Sequence, residues 1–218
     1  MYEELTELFE QYRNEDNANQ MERYMKNHFS FLGIKSPERK KLTNLYFQET
    51  KILKQNFDPK FVKALWNMEE REYQYVALDY IERSLRNVTK DDIKLMEYLI
   101  TTKSWWDTVD MLAQKPIGKI MMESPVLIEV KMEQWSIDVN MWLRRTAILF
   151  QLKYKEKTNA SLLYDYILRN ADSKEFFIQK AIGWALREYS KTNPESVRNF
   201  IQNHELAKLS IREGSKYL

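Results

Sequence analysis

The chain has 218 residues, a formal net charge of +2 and a hydrophobic content of 44%, with four glycines and five prolines. This composition argues against global disorder and against an all-β sandwich, which needs many tight turns. Cysteine is absent, and His28 and His204 are the two histidines, so disulfides, thiolate or histidine metal sites and a Ser-His-Asp triad are poorly supported. We therefore expect no metal and no cofactor.

The sequence carries no signal for membrane insertion or export. No apolar run reaches the length that spans a bilayer, and residues 1–5 are acidic rather than apolar. Together with the absence of cysteine, this predicts a cytoplasmic protein without a membrane partner. The slight positive charge neither demands nor excludes a nucleic-acid partner.

Helix signals follow one another along the chain. Apolar residues at helical spacing predict helices over residues 2–14 and 18–28, and a loop with Gly33 follows. A capping residue followed by proline then marks several helix starts. These pairs are Ser36-Pro37, Asp58-Pro59, Ser124-Pro125 and Asn193-Pro194, and further caps are predicted at Thr89, Ser104, Asn159 and Ser173. We expect about twelve helices, each roughly 10 to 18 residues long, and no strand.

An alanine recurs at a regular distance in the helical segments. Ala77, Ala113, Ala147 and Ala181 are separated by 36, 34 and 34 residues. A small residue with this period allows the inner helices of stacked helix pairs to approach closely. The sequence therefore predicts an all-α superhelix, or solenoid, of about six helix pairs. Because no linker rich in Gly, Pro or Ser interrupts it, we expect a single domain over residues 1–218.

The stretch from Ser104 to Asp110 is the strongest candidate for a site. It is predicted to begin a helix, with Ser104 as the N-cap. Trp106 and Asp110 are four residues apart and share one helix face, where they offer an apolar wall beside a fixed negative charge. Such a pair suits a cationic ligand. The alternative is that the tryptophans are core residues and the aspartates are solvated.

A basic segment follows on the later helices. Residues 144–157 hold two arginines and three lysines against one glutamate. Cations interleaved with tryptophans on the concave face of a solenoid would suit a phosphate backbone. Alternatively, Arg144 and Lys155 are ordinary surface residues, and Arg145 pairs with a carboxylate such as Asp110. The residues that could line the concave face are Tyr24, Lys26, Trp106, Asp110, the segment 140–145, Lys153, Lys155, Lys157, Lys180, Trp184, Arg187 and Lys191.

Four stretches, in this order, resemble the AlkD family of DNA alkylation-repair glycosylases. They are YMKNHFSFLGI at 24–34, SWWDTVD at 104–110, WLRRTAILFQL at 142–152 and KAIGWALREY at 180–189. The resemblance extends over nearly the whole chain. It implies HEAT-like helix pairs, in agreement with the alanine period. It also implies excision of the cationic alkylated purines 3-methyladenine and 7-methylguanine from duplex DNA, by hydrolysis of the N-glycosidic bond in base excision repair.

The resemblance also implies roles for six residues. It places the catalytic aspartate at Asp110, the active-site tryptophans at Trp106 and Trp184, a phosphate contact at Arg145, a further basic contact at Lys153 and an aromatic contact at Tyr24. A cationic purine is a good leaving group, so no general acid is needed, and Asp110 would stabilise the oxocarbenium ion that forms on the sugar.

No lysine lies beside Asp110 to act as a Schiff-base nucleophile. We therefore expect a monofunctional glycosylase without lyase activity, acting as a monomer on duplex DNA. The alternatives are a catalytically inactive HEAT-like DNA binder and a HEAT-like scaffold that binds protein.

Overall fold

The computed structural model describes residues 2–218, and within that range the chain is helical and contains no strand. The all-α prediction is therefore confirmed. By its internal contacts the chain divides into two compact units, residues 1–88 and 89–218. The single domain expected from the sequence stays a prediction.

The first unit contains five helices joined by short connections. They are α1 (Tyr2–Glu10), α2 (Glu15–Tyr24), α3 (Ser36–Thr50), α4 (Pro59–Asn67) and α5 (Arg71–Arg83). Helices α4 and α5 pack as a pair. The capping prediction holds at α4, where the Asp58 side chain accepts hydrogen bonds from the backbone N–H groups of Lys60 and Phe61. Ser36 is not a cap, since it lies inside α3.

A buried carboxylate organises the loop between α2 and α3. Glu72, on α5, accepts backbone N–H hydrogen bonds from Leu32, Gly33 and Ile34 at 2.9–3.1 Å. Burial raises the pKa of Glu72, although these bonds oppose the shift. Gly33 has a φ of +86°, and a Cβ on it would lie 2.0 Å from the backbone oxygen of Asn14. Only glycine fits this turn without strain.

The second unit contains nine helices. They are α6 (Ile93–Thr101), α7 (Trp106–Leu112), α8 (Gly118–Glu123), α9 (Glu133–Ser136), α10 (Met141–Leu149), α11 (Ala160–Leu168), α12 (Phe176–Ser190), α13 (Pro194–Asn203) and α14 (Lys208–Gly214). Helix α10 packs against both α7 and α12, and α12 packs against α14. This succession places the second helices of consecutive pairs next to one another, as a helical-repeat fold requires.

The alanine period corresponds to buried positions in this packing. Ala113, Ala147 and Ala181 are all buried, and so is Ala77 in the first unit. Ala113 and Ala181 belong to one apolar cluster that also contains Phe200. The small side chains thus lie where neighbouring helices come close, which is the physical basis of the predicted repeat.

The helices differ from the prediction in length and in some of their starts. Residues 2–218 contain fourteen α-helices of 4 to 15 residues, many of them shorter than expected. A π-helical turn at Ala113–Ile117 joins α7 to α8, because Pro116 has no N–H to donate to the regular ladder. The caps at Asn159, Asn193 and Thr89 are confirmed. Ser173 is not a cap, because α12 begins after Glu175.

Candidate active site

A buried ion pair joins two neighbouring helices of the second unit. Asp110 lies on α7 and Arg145 on α10. Arg145 Nε donates to Asp110 Oδ1 at 2.6 Å, and its Nη2 donates to Oδ2 at 2.8 Å. The side chain of Asp110 is 12% exposed and that of Arg145 is 5% exposed, so both charges are largely removed from water. Arg145 Nη1 also donates to the backbone oxygen of Phe177 on α12, which ties three helices together.

The electrostatics of Asp110 result from opposing effects. Burial raises the pKa of Asp110 above the ordinary aspartate value, and the nearby Asp107 adds to the rise. The hydrogen bonds and the charge of Arg145 act in the other direction. A bidentate guanidinium uses one acceptor position on each carboxylate oxygen and leaves the others available. Asp110 is thus a fixed, largely desolvated carboxylate whose oxygens retain acceptor capacity beyond the two bonds from Arg145.

Trp106 begins the helix that carries Asp110. It lies one turn before Asp110, so the two side chains leave the same face of α7, as predicted. The predicted cap is wrong, because Trp105 is the N-cap and the Ser104 hydroxyl donates back to the backbone oxygen of Ile100. Helix α7 therefore begins at the second tryptophan and not at the first.

The other tryptophan of the pair, Trp105, packs inside an aromatic cluster. Its ring centroid lies 5.0 Å from that of Phe177 and 5.8 Å from that of Trp142, and the last two are 5.2 Å apart. Phe177 links this cluster to the ion pair, since the Arg145 guanidinium carbon lies 6.0 Å from the centroid of the Phe177 ring. Trp105 and Trp106 are both only partly buried, so neither is a fully buried core residue, although Trp105 packs against two other aromatic rings.

Trp184 and Lys153 lie near each other on the second unit. Trp184 is partly buried on α12, where it packs against the apolar cluster. Lys153 follows α10, and its half-exposed ammonium lies 3.8 Å from the Glu188 carboxylate, one turn beyond Trp184. Glu188 also pairs with Lys191 at 2.6 Å. Lys153 is therefore a surface cation tethered beside Trp184.

Tyr24 belongs to the first unit, whereas the other five predicted site residues belong to the second. It ends α2 and is 69% exposed. It borders an open pocket of about 420 Å³ whose walls include Phe31 and Tyr75, with Arg39 at one side. Arg39 is itself held by Asp79 at 2.7 Å.

Two features of the site were not predicted from the sequence. One is the Phe177 carbonyl, since the sequence indicates side chains and not which backbone oxygen a distant arginine meets. The other is Glu213, which lies between several cations of α12 and α14. Phe177 and Trp184 are seven residues apart, so helical spacing places these two residues on one face of α12. This spacing was the sequence signal for Phe177, whereas Glu213 on α14 had none.

The described residues offer little that could hold a metal. No group of three or more His, Asp or Glu side chains with suitable placement occurs between residues 2 and 218. Over the same range, none of the helices is both long and apolar enough to cross a bilayer.

These features define an all-helical repeat protein with a buried carboxylate and guanidinium at the junction of α7, α10 and α12. The family model described as DNA alkylation repair enzyme matches residues 5–218. The chain therefore belongs to the DNA alkylation repair enzyme family.

The solved structures agree with this assignment. A predicted DNA alkylation repair enzyme from Enterococcus faecalis is 36% identical, with 94% of this chain and 96% of that chain covered and a TM-score of 0.84. The smu.31 protein from Streptococcus mutans UA159 is 15% identical over 96% of this chain and 99% of that one. Its TM-score of 0.60 shows a shared fold. No protein of curated function matches the chain.

Proposed function

We propose that this protein is a monofunctional DNA glycosylase that excises cationic alkylated purines, 3-methyladenine and 7-methylguanine, from duplex DNA. The observation that carries the proposal is the desolvated Asp110 carboxylate, fixed by Arg145 and preceded one turn earlier by Trp106. Family membership supports a role in alkylation repair with DNA as the substrate.

Hydrolysis of the N-glycosidic bond of a cationic purine needs a carboxylate, a water molecule and no general acid. The bond between the sugar C1′ and the purine nitrogen breaks, and its electron pair neutralises the cationic base, which leaves unprotonated. Positive charge then develops on the sugar as an oxocarbenium ion. Asp110 stabilises this charge and orients the water that attacks C1′, while that water releases one proton to solvent. Removing one preorganised electrostatic contact of this kind costs about 3–4 kcal/mol of barrier.

Trp106 and Trp184 are assigned to the sugar. The negative face of an indole ring attracts a cation, so rings placed on the deoxyribose favour the transition state over the neutral ground state. Both side chains are partly exposed, which leaves ring surface for such a contact.

Three residues are assigned to DNA binding. Arg145 uses three of its five N–H donors on Asp110 and Phe177, so two remain for a phosphate oxygen. Lys153 adds a half-exposed cation, and Tyr24 adds an exposed aromatic ring. We further propose that the protein acts as a cytoplasmic monomer without a cofactor.

A catalytically inactive DNA binder is the second candidate. It is favoured by the same ion pair, because a purely structural salt bridge would also occupy both oxygens of Asp110. The two functions differ in chemistry and not in binding.

The test is incubation with duplex DNA that carries 7-methylguanine. Release of the free base together with abasic sites, without strand cleavage, is the expected result. Binding without release of base would favour the inactive DNA binder. Strand cleavage with a reducible protein–DNA adduct would contradict the absence of lyase activity.

A further inference from the structure

Four cations converge on one carboxylate at the C-terminal end of the second unit. Glu213 Oε1 lies 3.2 Å from Lys180 Nζ and 3.8 Å from Arg212 Nη2. Glu213 Oε2 lies 2.8 Å from Lys216 Nζ and 3.3 Å from Arg187 Nη1. We call these five residues the Glu213 cluster. With four positive charges and one negative charge, it carries a formal excess of three.

The cluster is held in place by a close contact between α12 and α14. A Cβ on Gly183 would lie 2.5 Å from the Cβ of Glu213, so the absence of a side chain there lets the carboxylate approach α12. Glu213 is buried, but its cations are more accessible: the side chain of Lys180 is 37% exposed and that of Arg187 is 26% exposed. The buried carboxylate therefore holds the cations in place while their side chains stay partly exposed to solvent.

The cluster lies on the same face of α12 as Trp184. Lys180 precedes Trp184 by four residues and Arg187 follows it by three, so all three side chains point to one side of the helix. Phe177, whose carbonyl binds Arg145, lies seven residues before Trp184 and so belongs to this side too. The cation excess is thus continuous with the candidate active site along a single helix.

The neighbouring carboxylate does not cancel the excess. Glu188 on the same helix pairs with Lys153 and Lys191, so it is already matched by two cations. The cations of the Glu213 cluster hold the pKa of that carboxyl down, to about 2. The cluster therefore keeps its internal anchor and its surplus charge at any physiological pH.

We propose that the Glu213 cluster is a binding subsite for one phosphodiester group of the DNA backbone, with Glu213 as its positioning residue. The assignment rests on the proposed function, because it takes DNA as the substrate. A fork of guanidinium and ammonium donors matches the oxygens of a phosphate, and excess charge beside Trp184 would hold the strand next to the sugar that reacts.

The first experiment measures the salt dependence of binding to an undamaged duplex oligonucleotide, which involves no chemistry. The double variant Lys180→Gln/Arg187→Gln should lower the slope of log affinity against log salt by about 0.9, the value for one phosphate. The control is Lys131→Gln/Arg169→Gln, which removes the same charge at similar exposure. Its cations pair with Glu97 on α6 and Glu133 on α9.

The control should leave the slope unchanged. Equal slopes for the cluster variant and the wild type would overturn the proposal. Circular dichroism reports whether the double variant folds. If it does not, Arg212→Gln/Lys216→Gln takes its place with the same expected drop, since these side chains are 72% and 47% exposed.

The second experiment uses inorganic phosphate and needs no DNA. Glu213→Gln keeps the shape of the side chain but leaves four cations without their carboxylate. Its melting temperature should fall in chloride buffer, and inorganic phosphate should raise it by more than it raises that of the wild type, because phosphate takes the place of the missing anion. An equal response of both proteins to phosphate would show that the cluster does not select this ligand, and would count against it.

The two proposals fail in different ways. If the wild type releases 7-methylguanine but the cluster variant keeps the wild-type salt slope, the subsite is wrong and the glycosylase stands. If the slope drops as expected but no base is ever released, the subsite stands and the glycosylase is wrong.

Discussion

Asp110 and Arg145 are bound to each other by two hydrogen bonds of 2.6 and 2.8 Å, and both side chains are largely buried. Removing one partner of such a pair leaves a buried charge without compensation, at a cost of about 3–5 kcal/mol. The residue that the sequence predicts to be catalytic is therefore also a structural residue. This relationship changes how its mutants must be interpreted.

Asp110→Asn should lose most of the release of 7-methylguanine under single-turnover conditions while it still binds DNA. The amide deletes the negative charge that faces the oxocarbenium ion, whereas affinity depends on phosphate contacts. An isosteric amide on an exposed aspartate would be expected to leave the fold intact. With Arg145 buried, we expect instead a lower melting temperature, measured by thermal unfolding.

The double variant Asp110→Asn/Arg145→Gln is the matched control for that loss. It replaces the buried ion pair by two neutral amides, so no buried charge is left unpaired and part of the stability should return. Release of base should not return, because the carboxylate is still absent. Wild-type release rates in either variant would show that Asp110 has no catalytic role.

Arg145→Ala should weaken binding to duplex DNA and lower the salt slope by about 0.9, because two N–H donors of the guanidinium are left for a phosphate oxygen. It should also lower the melting temperature, because buried Asp110 loses its partner. Fluorescence anisotropy at several salt concentrations provides the measurement. A wild-type slope would mean that the charge of Arg145 is used entirely within the protein, on Asp110.

The rate of base release should fall on the acid side with a pKa higher than the ordinary aspartate value of 3.8. Burial raises the pKa of Asp110, so the carboxylate is protonated at a higher pH than in an exposed aspartate. The raised pKa also affects the free energy of unfolding, and its pH dependence is opposite to that caused by a carboxylate with a lowered pKa. The stability that protonated Asp110 contributes is fully present below its pKa in the unfolded chain. This stability is lost as the pH rises through its higher pKa in the folded protein.

A pH profile of the single-turnover rate with saturating protein provides the test. A rate that stays constant down to about pH 4 would contradict the role of ionised Asp110. Thermal unfolding over the same pH range separates loss of the carboxylate from loss of the fold.

Gly33→Ala should destabilise the first unit by more than about 1 kcal/mol, because alanine strains a backbone with φ of +86°. The added Cβ would also collide with the Asn14 backbone oxygen, and the loop that Glu72 binds would have to move. Gly214→Ala is the control, since the atoms nearest to its Cβ would be side-chain atoms of Leu186 at 3.1 and 3.4 Å and of Ile201 at 3.5 Å. Similar melting temperatures for the two variants would contradict the argument.

The sequence by itself determined the fold class. Apolar residues at helical spacing and the alanine period depend on the geometry of one helix and its nearest neighbour, and both are local properties of the chain. Buried Ala113, Ala147 and Ala181 follow directly from that pattern. The same local rules place Trp106 and Asp110 on one helix face, and the structure retains this.

The tertiary structure decided how the site residues are joined. Arg145 is 35 positions from Asp110 in sequence, and the sequence left open whether its guanidinium binds a phosphate or this carboxylate. The packing of α10 between α7 and α12 brings Arg145 to both Asp110 and the Phe177 carbonyl. Glu213 was missed for the same reason: a buried charge is placed by contacts between helices distant along the chain, and no local spacing encodes which cations it will meet.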